Sequence, residues 1–219
     1  MPVLFFGNIL TARYATLGLN PSDQEYLAPD GRELNGADRR FETLRSLRAK
    51  TRQRLTKPQC LKALQTMRRY FDDGKPVYRW FKPLERVLNG MGVSYTRGEA
   101  VHLDLVQEPT NPTWSTLRET RYDEWVALRR ADLPFLRAQL ARLAPRLLLC
   151  NGRTPREQLE ELAPIRLLRS GRKRLIEWFV GTIKLDGCRV RVAGWNIPLA
   201  QPTGLTKAGL AGLGKLFVR

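Results

Sequence analysis

Tyr14-Ala15-Thr16-Leu17-Gly18-Leu19-Asn20-Pro21-Ser22-Asp23-Gln24-Glu25-Tyr26 is the stretch on which the reading of the whole chain turns. It reads as a short apolar strand that stops at Asn20-Pro21, because a residue before proline is pushed out of helical geometry. Ser22 and Glu25 have the spacing of a capping box, which predicts a helix starting there. Asn20 would then hold its carboxamide at the carboxyl end of a strand, beside a helix N-terminus. In open α/β sheets that crevice is where ligands bind. The same residues also suit a strand-to-helix turn with no chemistry, and local pattern alone does not separate the two.

Outward from this stretch, residues 27–37 carry Pro29, Asp30, Gly31, Asn35 and Gly36, a turn-rich loop. A helical pattern follows from Asp38, with Phe41, Leu44 and Leu47 on one face. It runs into a basic stretch, residues 50–58, that ends at Pro58. A second helix is predicted on the stripe Leu61, Leu64, Met67 and Phe71, and a third on Phe81, Leu84, Val87 and Leu88, stopping at Asn89-Gly90. Residues 100–106 alternate as a strand, and Leu133, Leu136, Leu140 and Leu143 mark another helix. Residues 146–152 form a compact apolar run that suits a buried parallel strand, followed by a helix near residues 155–162. Residues 169–174 read as a basic loop, and Asp186-Gly187 between two apolar runs is a strong hairpin signal. The chain closes through the loop of residues 194–204 into a Gly-rich, helical tail. Strands alternating with helices predict one α/β domain over residues 1–219, layered around a mostly parallel sheet, with a basic helical insertion around residues 38–71.

Composition narrows the partners. The chain has 38 Lys and Arg against 21 Asp and Glu, a formal net charge of +17. A basic protein of this kind usually meets a polyanion, and Arg predominates, the better bidentate phosphate binder. Cys60, Cys150 and Cys188 lie far apart without C-x-x-C spacing, so neither a disulfide scaffold nor a cysteine-bound metal is supported. No run of eighteen apolar residues predicts a membrane span, and the first residues lack the pattern of a signal peptide. A cytoplasmic monomer without cofactor or metal is the expectation.

In a parallel sheet the segments after the strands gather on one edge, which here delivers Asn20, Asp104 and the loop from Asn196 to Gln201. Each is an ordinary turn residue by itself. Together they resemble the uracil-DNA glycosylase superfamily. Gly18-Leu19-Asn20-Pro21-Ser22 is similar to its first motif, in the form where Asn holds the catalytic water. His102-Leu103-Asp104-Leu105-Val106 followed by Pro109 resembles the strand that reads the edge of the flipped base. Leu147-Leu148-Leu149-Cys150-Asn151-Gly152 resembles the third strand. Asn196-Ile197-Pro198-Leu199 resembles the second catalytic motif and the loop that wedges into the duplex. The resemblance implies a three-layer αβα sandwich and a DNA glycosylase, with Asn20 and Asn196 as catalytic residues and Gly18, Ser22 and Asp104 against the base. It makes Leu199 the wedge.

The departures from the family bear on substrate and mechanism. The usual His of the second catalytic motif is missing, which leaves Asn196 as a neutral donor. Ser22 replaces a bulky aromatic, opening room at C5 of a pyrimidine. Asp104 stands where uracil-specific members carry Asn, and a carboxylate accepts from the N4 amino group of cytosine. A cytosine with a bulky C5 substituent is therefore the expected base; the superfamily includes an anti-phage activity on glucosylated hydroxymethylcytosine in viral DNA. Arg52, Arg54 and Lys57, with Arg172, Lys173 and Arg174, are the phosphate-binding candidates, although solvated basic faces would read the same way. Asp23 fits the first turn of a helix, where negative charge is favourable, and His102 fits a satisfied core histidine. Three alternatives stay open: a non-catalytic DNA- or RNA-binding protein that keeps the fold, a uracil or thymine mismatch glycosylase, and an enzyme acting on free nucleotides. The last leaves the charge unexplained.

Overall fold

The computed structural model describes residues 1–201 and 203–218, so Pro202 in the loop of residues 194–204 lies outside it, as does the side chain of Ala37. Among the described residues, the protein is an α/β fold with six α-helices and a six-stranded sheet in the order β2-β1-β3-β6-β5-β4. The strands are β1 (Tyr14–Gly18), β2 (Ala100–Asp104), β3 (Leu147–Asn151), β4 (Arg166–Lys173), β5 (Ile176–Leu185) and β6 (Cys188–Trp195). The helices are α1 (Lys57–Arg68), α2 (Phe81–Gly90), α3 (Trp114–Thr120), α4 (Tyr122–Leu143), α5 (Arg153–Leu162) and α6 (Lys207–Phe217).

The sheet is mixed, which corrects the expectation of a mostly parallel one. β2, β1, β3 and β6 are parallel neighbours, while β5 and β4 join as an antiparallel meander. The reason is local. Asp186-Gly187 forms the tight hairpin between β5 and β6, and residues 169–174, expected as a basic loop, instead continue β4 to Lys173 and turn at Arg174.

β2 and β3 are buried along their whole length, as strands covered on both faces require. β2 ends the sheet order, yet its outer edge is covered. Phe6 exchanges both backbone hydrogen bonds with His102, at 2.9 and 3.0 Å. Covering an edge in this way removes a site for unwanted strand pairing.

Two helix expectations change. Residues 38–56 carry no α-helix. Thr43 and Ser46 exchange side-chain-to-backbone hydrogen bonds, at 2.9 and 3.2 Å, and such local bonds compete with helical ones. Phe41 and Leu47 are still buried, each seated from a turn. Of the basic insertion, only α1 is α-helical, opened by a Thr56–Gln59 capping box. It buries Ala63 and Met67 and leaves Leu61 exposed. The helix expected from Ser22 is a single 3-10 turn, Asp23–Glu25. Ser22 accepts from the Gln24 amide, but Glu25 turns inward to accept from the Tyr70 hydroxyl at 2.5 Å, so the capping box never closes.

α2 and α6 pack at glycine contacts. A Cβ on Gly214 would lie 2.0 Å from the Val87 carbonyl oxygen, and one on Gly90 2.0 Å from that of Ala211. Gly214→Ala is therefore expected to cost at least about 1–3 kcal/mol, because backbone rather than a flexible side chain must move. Chemical denaturation checks this; an unchanged midpoint would show that the helices separate freely.

Candidate functional site

The carboxyl ends of β1, β2 and β3 open into a cleft of about 960 Å³. That volume falls within the roughly 300–1,000 Å³ of sites that bury a small molecule. Gly18, Asn20, Ser22 and Asp104, all singled out from the sequence, line it together with Glu25, His102 and Asn151. Trp80 and Phe81 form one wall, Trp114 and Trp125 another, and Arg79 and Arg118 add positive charge.

Asn20 is held by its nitrogen. Nδ2 donates to the Pro21 carbonyl at 3.1 Å, to Thr110 Oγ1 at 2.9 Å and, more weakly, to the Glu108 carbonyl at 3.5 Å. Carbonyl oxygens only accept, so the amide cannot be flipped. Oδ1 is thereby the atom without a protein donor among the described residues, an acceptor free for a water or a ligand.

Asp104 lies against β1, and only a glycine at position 18 allows it. A Cβ there would sit 2.5 Å from Asp104 Oδ1 and 2.9 Å from His102 Nε2. Oδ1 accepts from His102 Nε2 at 3.2 Å. His102 Nδ1 lies 2.7 Å from Thr16 Oγ1, which in turn is 2.5 Å from the Tyr95 hydroxyl. One direction satisfies every atom: Tyr95 donates to Thr16, Thr16 to Nδ1, and Nε2–H to the carboxylate. In that arrangement the ring proton facing Asp104 is the one on Nε2. Rings of Phe6, Trp80 and Phe81 surround it at centroid distances of 5.1–5.4 Å. The expectation of a satisfied core histidine holds, and its satisfaction is what fixes Asp104. Oδ2 has no protein partner among the described residues.

Asn151 was not singled out as a site residue, and it mirrors Asn20. Its Oδ1 accepts from Trp195 Nε1 and from the Leu199 amide, both at 3.0 Å. Nδ2, with no protein acceptor among the described residues, is left as a fixed donor on the cleft wall. Its only sequence signal was its place at the end of an apolar strand.

The other candidates of the second motif are placed elsewhere. Asn196 does not line the cleft. Its Oδ1 accepts from the Glu177 amide at 2.9 Å and its Nδ2 reaches the Leu175 carbonyl at 3.5 Å, closing the end of the β5–β6 ladder. Leu199 is buried in the core, because its amide is drawn inward to Asn151. Pro198, Ala200 and Gln201 reach the cleft instead.

Of the phosphate candidates, Arg54 and Lys57 are exposed and Arg52 pairs with Glu108, beside the anchor of Asn20. Arg172 and Arg174 donate to the carbonyls of Arg174 and Gly204, and Lys173 to that of Gly209. None of these last three forms an ion pair with a carboxylate among the described residues, although Glu177 stands opposite Arg172 in the β4–β5 register.

Glu25 brings a buried carboxyl to the cleft lining. Burial raises its carboxyl to about 7, opposed by the Tyr70 hydrogen bond and the charge of Arg40. The folded state therefore binds this proton more tightly than the unfolded chain. The stabilisation is complete below the ordinary Glu value and is lost as pH rises through about 7. Glu25→Gln, which keeps the acceptor for Tyr70, is expected to flatten this loss, worth about 3 kcal/mol by the size of the shift. Unfolding curves at pH 5 and pH 8 check it; equal pH dependence in both proteins would place the proton elsewhere.

Among the described residues, no cluster of three or more His, Cys, Asp or Glu is arranged to hold a metal ion, and no helix is long and apolar enough to cross a membrane. No protein-family model matches the chain, and no curated protein matches its sequence.

Proposed function

We propose that this protein is a DNA glycosylase with the αβα arrangement of the uracil-DNA glycosylase superfamily. It would take an everted, C5-substituted cytosine into the cleft and hydrolyse its N-glycosidic bond. The observation that carries this reading is that three adjacent parallel strands each deliver one fixed polar atom to a single cleft. These are the Oδ1 acceptor of Asn20, the Oδ2 acceptor of Asp104 and the Nδ2 donor of Asn151.

In this mechanism basic side chains engage phosphates and the target nucleotide rotates out of the stack. Asp104 accepts from the N4 amino group, and Ser22, turned back to the Gln24 amide, leaves room for the C5 substituent. Asn20 Oδ1 orients a water toward C1′. The C1′–N1 bond opens through an oxocarbenium-like state, the base leaves with the bonding electron pair, and the water oxygen joins C1′. Asn20 cannot take the water proton. Glu25, half-ionised near neutral pH, can, because a base works best with its pKa near the working pH. Asn151 takes the place expected of Asn196 as the donor facing charge on the departing base.

Duplexes carrying uracil, cytosine or glucosylated hydroxymethylcytosine, scored for abasic sites under single-turnover conditions, test the reading. Cleavage of the modified cytosine is expected, and cleavage of uracil alone would overturn the base assignment. The position of Asn196 outside the cleft favours a second reading, a DNA-binding protein without chemistry. It predicts a shifted duplex and no abasic site on any of the three.

A further inference from the structure

We propose that Leu175, at the tip of the β4–β5 hairpin, is the apolar wedge that enters the DNA duplex and holds the target nucleotide out of the stack. The inference rests on the DNA reading above and relocates the wedge from Leu199, which is buried at 5 % exposure.

Four observations converge on the hairpin tip. First, Leu175 is 55 % exposed, although it is a large apolar side chain. Second, its place in the sheet is right. Trp178 is level with Trp195, which is level with Asn151, so the β5 start shares the sheet edge of the cleft. Leu175 precedes Trp178 by three residues, and strands rise about 3.3 Å per residue, so the tip stands roughly 10 Å beyond that level.

Third, the tip is mounted rigidly beside the cleft loop. Asn196 joins the Leu175 carbonyl and the Glu177 amide, and its chain runs on through Ile197 to Pro198 on the cleft wall. Arg174 and Lys173 tie the tip to the carbonyls of Gly204 and Gly209. Fourth, the charge around it suits one partner. Arg172, Lys173 and Arg174 flank Leu175 with no carboxylate partner among the described residues, which fits double-stranded DNA. Proteins that open base steps commonly insert such an apolar side chain among cationic neighbours.

The exposed Leu167 and Leu168 sit at the other end of β4, where Leu167 is level with Leu148 and so below the carboxyl edge that opens into the cleft, and cannot serve. Asn196 also gains a role here, as a positioning residue for the wedge in place of a catalytic one.

The test compares Leu175→Ala and Leu175→Phe with the unaltered protein in two assays. In the first, a duplex carries 2-aminopurine beside a glucosylated hydroxymethylcytosine. DNA binding by mobility shift is expected to survive in Leu175→Ala, while the fluorescence rise on binding is lost and Leu175→Phe restores it. In the second, abasic-site formation is followed on the duplex and on the same strand alone. Leu175→Ala should lower the duplex rate about 10- to 100-fold, and the single-strand rate by less than about threefold, since a lone strand needs no unstacking wedge. An unchanged fluorescence rise in Leu175→Ala overturns the wedge, as does an equal fall on duplex and single strand. If the unaltered protein excises no base yet still gives the Leu175-dependent fluorescence rise, the glycosylase reading fails and the wedge stands.

Discussion

Asn20→Ala is expected to lower single-turnover base excision by about 10²–10³-fold while DNA affinity stays within about threefold. The argument rests on which atom the fold immobilises. Two carbonyls and a hydroxyl accept from Nδ2, so Oδ1 is presented in one orientation. An attacking water bound there needs no reorganisation as the glycosidic bond opens, and Ala leaves that water free to tumble. The lost hydrogen bonds also cost stability, of order 1 kcal/mol each, so the rate is to be measured on protein shown folded by circular dichroism. Excision at the parental rate in folded Asn20→Ala would remove the residue from the mechanism. A parallel loss of binding would make it a DNA contact instead.

Asp104→Asn should change which base is removed. The amide oxygen can keep accepting from His102, which forces Nδ2 into the place of Oδ2. A donor then faces the donor N4 amino group of cytosine, whereas the O4 acceptor of uracil becomes a match. Sites built around a hydrogen bond discriminate by about 10⁴-fold or more. Excision of modified cytosine is expected to fall by about 10³-fold and excision of uracil to rise, as read from abasic-site formation on paired substrates. Rates that fall in step on both bases would show that Asp104 does not read the base edge. Thr16 and Tyr95 stay in place in this variant, so the change isolates one atom of the hydrogen-bond chain.

The elements visible in the sequence are those whose burial follows from their own pattern. The apolar runs of β1 and β3, the stripe of α2 and the Asp186-Gly187 turn carry their structure locally, and each is found where its residues place it. Residues 38–48 show the limit, because the repeated apolar spacing of three in Phe41, Leu44 and Leu47 was countered by Thr43 and Ser46 bonding each other's backbone. Glu25 shows another. Its spacing from Ser22 reads as a cap, but its nearest strong partner is Tyr70, distant in the chain.

The site divides in the same way. The sequence by itself determined that Asp104 and Asn151 end strands and that Asn20 follows one, since proline, glycine and apolar runs set those ends through local sterics and burial. Only the tertiary structure decided that β2, β1 and β3 lie side by side, which brings the three into one cleft. It also decided which atom of each faces inward, because an amide or carboxylate is oriented by partners such as Thr110, His102 and Trp195 that sequence distance does not reveal. The same long-range contacts buried Leu199 and turned Asn196 away from the cleft, while Leu175 stayed exposed.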